Sequence, residues 1–108
     1  MARIDKVTFS FRAIAGTALT GVQAVKVNAS GQVVLAGTAA GDAWGVTVVA
    51  GTITSGRPVS VFRAAEVVEF AGSAGSPYYA IGGGSVGLTS GGVQVGFTVE
   101  ADRLVIAM

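Results

Sequence analysis

Three glycines, Gly82, Gly84 and Gly87, fall in the stretch AIGGGSVGLTSGG (residues 80–92) with the spacing G-x-G-x-x-G. At a strand-to-helix turn, that spacing lets backbone amides close around a pyrophosphate. The chemistry also needs a buried strand before the glycines, a helix opening on them, and an acidic residue about 20 positions on for the ribose. Here residues 85–89 (SVGLT) and 93–99 (VQVGFTV) both read as strands. Asp102 comes 15 positions after Gly87, and the 21 residues beyond Gly87 leave no room for a βαβ unit. The glycines are therefore expected at turns, supplying positive φ or close backbone approach, and no nucleotide is expected. The remaining reactive groups assemble no better. Glu66 and Glu69 flank two valines, so on a strand they point to opposite faces. Glu100 and Asp102 sit where a turn is expected and read as solvated rim charges. Ser55, Ser60 and Ser85 have no base to activate them, because the chain contains no His, and it contains no Cys either. The commonest general base and the two commonest zinc ligands are missing. No catalytic constellation, metal site or cofactor site is expected, and the chain reads as a non-enzyme.

The elements that would position any site are strands. Glycine occurs 17 times in 108 residues, too often for long helices, and β-branched residues are everywhere. VTFSFR (residues 7–12) alternates, with Val7, Phe9 and Phe11 on one face and Thr8, Ser10 and Arg12 on the other. VQAVKV (22–27) and QVVLA (32–36) flank Asn28, Ala29, Ser30 and Gly31, a four-residue hairpin turn. AWGVTVV (43–49) follows a turn signal at Gly41 and Asp42 and leads to another at residues 54–56. RPVSVF (57–62), with Pro58 near its start, EVVEF (66–70), PYYAI (77–81), SVGLT, VQVGFTV and RLVIA (103–107) complete the set. About eight to ten short strands with turns every 8–12 residues predict an all-β fold, a small β-barrel or β-sandwich. Residues 1–20 read as an N-terminal strand or arm, with AIAGTALTG (13–21) as its link to a body spanning 21–108. Three segments beginning Gly-Val at positions 21, 45 and 92 share the order strand, polar turn, strand. They are either similar low-complexity hairpins or a repeated unit of a barrel.

Composition constrains the partners. Hydrophobic residues are 51% of the chain and charged residues only 12%, about half the usual share of a soluble domain. Such a surface favours association, so an oligomer or a covering partner is expected. The net charge of +1 supplies no field for nucleic acid or an acidic membrane. No run approaches the ~20 apolar residues of a membrane helix, the start does not read as a secretory signal, and a membrane β-barrel would need more chain.

Contact candidates come from aromatic and edge residues. Trp44, the sole Trp, is either a core residue or an intersubunit anchor. Tyr78 and Tyr79 are adjacent on a strand, so one should point inward and one outward. Gly82, Gly83 and Gly84 would let a neighbouring backbone approach, with Gly83 at the centre of the run. Arg3, Ile4, Lys6, Phe9, Phe11 and Arg12 form an amphipathic edge, either a solvated strand or an arm that adds to a partner's sheet and meets acidic groups there.

From about residue 21 onward, the chain resembles the small Ala/Gly/Val-rich capsid decoration (cement) proteins of tailed bacteriophages. The matching stretches are VKVNASGQVVLAGTAAGDAWGVTV, SGRPVSVFRAAEVVE, AGSAGSPYYAIGGG and VQVGFTVEADRLVI. They carry a Gly turn (Ser30, Gly31), a Gly-Val strand (Gly45, Val46), a G-x-P-V-x-V strand (56–61) and a closing V-G-x-T strand (95–98). The resemblance implies a non-enzymatic homotrimer on the outer surface of the virion head. There it binds the major capsid protein and reinforces the shell. Residues 1–20 fall outside the pattern. The alternative reading is a carbohydrate-binding or adhesin-like β-module of a phage fibre or cell surface, which needs exposed aromatics in a groove.

Overall fold

Short runs of β-branched and small residues, cut by glycine turns, fold into nine strands with no helix among the described residues. The computed structural model describes residues 2–37 and 42–108. The strands are β1 (Arg3–Ala15), β2 (Leu19–Val27), β3 (Gln32–Leu35), β4 (Gly45–Ile53), β5 (Pro58–Val68), β6 (Pro77–Gly82), β7 (Ser85–Gly87), β8 (Gln94–Thr98) and β9 (Arg103–Ala107). They form one continuous sheet in the order β1-β3-β2-β4-β5-β9-β8-β6-β7, and β1 also pairs with β5. That additional pairing closes β1, β3, β2, β4 and β5 into a ring. The expected all-β fold is the fold observed.

The ring encloses one core: Ala15, Leu19, Val25, Val33, Val49, Val59 and Val61. The remaining strands, β9, β8, β6 and β7, curl over the other side of β2, β4 and β5. They enclose a second core, which includes Ala24, Val46, Ala65, Val67, Tyr78, Val95, Leu104 and Ile106. The turn between β6 and β7 fastens this layer to the ring. Ala24 N donates to Gly84 O (2.8 Å), and Gly84 N donates to Ala36 O (3.0 Å). Each fully buried Val or Leu contributes roughly 1.5–3 kcal/mol relative to an exposed one. Either core needs its own complement of them.

β5 serves both cores because its register slips. Phe9 of β1 stands opposite Ala64 and Ser10 opposite Phe62, leaving Arg63 as an extra residue. Before the slip, Val59 and Val61 enter the ring core; after it, Ala65 and Val67 enter the second. On a regular strand, all four odd-numbered side chains would share one face. β1 carries further slips at Asp5 and Thr8. The slip at Thr8 puts Val7 opposite Ala65 and Phe9 opposite Ala64. The expected common face of Val7, Phe9 and Phe11 is therefore broken. Val7 and Phe9 are half exposed, and only Phe11 packs on the ring core.

Other departures have similar local causes. RPVSVF and EVVEF belong to one strand, because the three residues between them, Arg63, Ala64 and Ala65, contain neither Gly nor Pro. Glu69, at φ 56°, follows the strand's end. The link expected over residues 13–21 shrinks to residues 16–18, with Ala15 and Leu19 on either side fully buried. The expected boundary after residue 20 falls inside β2. The hairpin at residues 22–36 forms as read, with Val27 opposite Val33. Asn28 Oδ1 accepts from Ser30 N (2.9 Å) and Gln32 N (3.0 Å). The turn signal at Gly41 lies outside the described residues.

Gly96 shows how tightly the second layer is built. It stands between Tyr78 of β6 and Ile106 of β9, where an added Cβ would run into the Val105 carbonyl. Gly51 has φ +83° but open space around it. Gly96→Ala should lower the unfolding free energy by roughly 3 kcal/mol or more through overpacking. Gly51→Ala should cost only about 1–2 kcal/mol, through backbone strain alone. Urea titrations of the two variants against the parent chain check the order; equal effects would contradict the packing described.

Candidate interaction surfaces

The glycine stretch is a hairpin turn. Gly82, Gly83 and Gly84 all have positive φ (107°, 58° and 79°), which a chain of L side chains rarely adopts. Gly84 packs against Leu35 of the same chain, and Gly83 lies exposed with open space where its Cβ would be. Among the described residues, no group of three or more Asp or Glu side chains is placed to hold a metal ion.

Strand register builds a broad outer face. Pro77, Phe97, Val105, Glu66 and Lys6 form one row across β6, β8, β9, β5 and β1. Ala107, Ala64 and Phe9 form the next row, and Arg103, Val68 and Arg3 flank the first on its other side. Phe9 and Phe97 are exposed large apolar groups on this face, and Val99 lies exposed beside it. The charges in the face are paired. Arg103 reaches Glu66 (2.9 Å) and Glu100 (2.7 Å), Lys6 stands 3.9 Å from Glu66, and Arg3 lies 2.8 Å from Glu69. Among the described residues, three cations thus meet three carboxylates. The hydrogen bond from Arg3 holds the Glu69 carboxyl below the usual carboxylate range, and that from Arg103 does the same for Glu100. Hydrogen bonds to Glu100 and Glu66 push the Arg103 pKa up.

A second surface is concave. Phe11, Trp44, Arg63, Val93, Gln94 and Met108 line an open groove of about 510 Å³, with Ala43 beside Trp44. Trp44 is 47% exposed, and its backbone N donates to Val25 O (2.8 Å), fixing it at the entrance to β4. Arg63 is the slipped residue of β5, and its Nε is buried without a hydrogen-bond partner among the described residues.

The structure scatters the residues singled out from the sequence. Arg3, Lys6 and Phe9 lie on the outer face. Ile4 packs on the second core and Phe11 on the first. Arg12 lines a cleft beside Pro58 and Ser60 that Arg3 and Ile4 also border. The acidic groups that Arg3 and Lys6 meet are on their own chain, at Glu69 and Glu66. Tyr78 is the inward tyrosine, 4% exposed, edge-on to Phe70 at 5.1 Å, with its hydroxyl accepting from Ser73 N at 2.8 Å. Tyr79 is half-buried, and Trp44 is a surface residue. Sequence reading missed Phe97, Val99 and Arg63. The first two are visible as alternate apolar residues in VGFTV. Arg63 carries no such signal, because its position depends on a strand about 50 residues away.

No family model and no curated protein sequence matches the chain. Among solved structures, a protein of Mycobacterium phage Patience is similar to it, with a TM-score of 0.83 at 17% sequence identity. The match covers 98% of this chain and 95% of that one. At that identity the shared property is the fold, an all-β architecture also found in a phage protein.

A carboxyl held below its unfolded value favours the folded state above that value, and the gain is lost as pH falls through the folded one. The urea midpoint should therefore fall on acidification below about pH 4.5, the ordinary carboxylate range. Glu69→Gln and Glu100→Gln together should flatten that acid limb. Both groups are exposed, so high salt should flatten it as well. An acid limb unchanged in the double variant would show that these pairs contribute nothing to it.

Proposed function

We propose that the chain is a capsid decoration protein of a tailed bacteriophage, a homotrimer that binds the major capsid protein on the outside of the head. It stabilises the shell and catalyses no reaction. The observation that carries this reading is the likeness to a phage protein across nearly the whole of both chains. The surface supports it. An outer face of paired charges and exposed Phe9 and Phe97 suits burial against flat neighbours, since no unpaired charge need be dehydrated. Repetition over a shell lets each contact be modest, because avidity multiplies them. A second reading, a carbohydrate-binding β-module, is favoured by one observation: Trp44 stands exposed in a groove, an arrangement that can stack on a sugar ring.

Electron microscopy of particles assembled with and without the protein should place density on the outer shell, and light scattering should give three copies. A monomer that binds glycans and leaves particles bare would overturn the capsid reading in favour of the second. Removing residues 1–12 is not a clean test, because Phe11 packs on the ring core. Phe9→Ser with Phe97→Ser alters only exposed positions of the outer face. This pair should weaken capsid binding by roughly tenfold or more while leaving the urea midpoint nearly unchanged.

A further inference from the structure

The groove beside Trp44 has a chemistry that the capsid reading does not use. Its walls are apolar: Phe11 from β1, Trp44 ahead of β4, Val93 ahead of β8 and Met108 after β9. Two polar side chains reach it, Arg63 and Gln94. Gln94 is engaged, with Nε2 donating to Gly96 O at 3.3 Å. Arg63 is not: its Nε is buried without an acceptor, and no ion pair among the described residues includes it. The register slip holds it there. As the extra residue of β5 it is pinned by its carbonyl, which accepts from Met108 N at 2.9 Å. A guanidinium presents a planar fork of donors that matches a carboxylate, and buried donors without acceptors are rare in folded chains. Arg and Trp side by side in an apolar depression are also the residue types that dominate protein–protein contacts.

We propose that this groove receives an extended segment of a partner protein in which one Asp or Glu stands between apolar residues, with its carboxylate on Arg63 and its apolar neighbours against Trp44, Phe11 and Val93. The charge and the walls select this occupant. A neutral sugar needs several converging side-chain donors and acceptors, and the polar side chains lining the groove among the described residues are two, Arg63 and Gln94. A nucleic acid needs a track of cations, and among the described residues the groove has one. The volume, about 510 Å³, suits a few side chains and not a folded domain. The assignment does not depend on the capsid reading and concerns any assembly the chain joins.

Trp44 is the only Trp, so its fluorescence reports on the groove. The probes are two tripeptides, acetyl-Leu-Glu-Leu-amide and acetyl-Leu-Gln-Leu-amide, with chitotetraose as the sugar control. The glutamate peptide should change Trp44 emission with a dissociation constant about tenfold lower than the glutamine peptide, the scale of one desolvated charge-assisted pair. The preference should weaken with salt and vanish in Arg63→Gln. Because Arg63 sits at the slip, Gln94→Glu is a second variant at an exposed position. It sets a like charge in the groove and should abolish glutamate-peptide binding in a folded chain. Equal response to the two peptides, no response to either, a preference that survives both substitutions, or tighter binding of chitotetraose would each overturn the proposal.

Discussion

β5 has to face two hydrophobic cores, and a regular strand offers the same alternate residues to one side along its whole length. The one-residue slip at Arg63 removes the conflict. Val59 and Val61 complete the ring core, and Ala65 and Val67 complete the second. Nearly everything else follows from this. β1 must follow a strand that changes face, and it does so with slips of its own at Asp5 and Thr8. Because β1 tracks β5 from Val68 to Pro58, the ring closes and the N-terminal residues become part of the wall. The slipped residue itself belongs to neither core, which is why a guanidinium ends up partly buried in a surface depression.

Local features were legible in the sequence where local chemistry sets them. The Asn28–Gly31 turn, the hairpin around it and the glycine turn after β6 are each decided within a few residues, and each appears where it was read. The three Gly-Val segments correspond to β2 with β3, β4 leading into β5, and β8 with β9. Features set by distant partners were not legible. The alternation of Val7, Phe9 and Phe11 is plain in the sequence, yet a slip against β5 breaks it. RPVSVF and EVVEF read as separate because the tolerance of a bulge at Arg63 depends on β1. The tyrosine pair divides as alternation requires, but which ring goes inward is decided by Phe70 and Ser73. Trp44 left two readings open, and only the packing of Val61 against Gly45 shows that the core beside it is already filled.

The low charge content takes on a physical meaning in the structure. Few charges remain, and those on the outer face of β1, β5 and β9 are largely spent on one another. What a neighbour would meet there is a neutral sheet face with Phe9, Phe97 and small residues between the pairs. Such a face can be covered without leaving a lone charge behind. The groove at Trp44 is its opposite: mostly apolar, with one cation that has no partner among the described residues. The two surfaces therefore ask for different things from whatever covers them.

The pairing of β1 with β5 also governs how the chain comes into being. Phe11 stands opposite Val61, so the longest strand is synthesised some 50 residues before its partner. At about 5–20 residues per second, that is a wait of roughly 3–10 seconds on the ribosome. During it Val7, Phe9 and Phe11, which pair with β5, lack that partner strand. Asp5, Lys6 and Arg12 are spaced along the same stretch, where charges discourage premature edge-to-edge pairing between nascent chains.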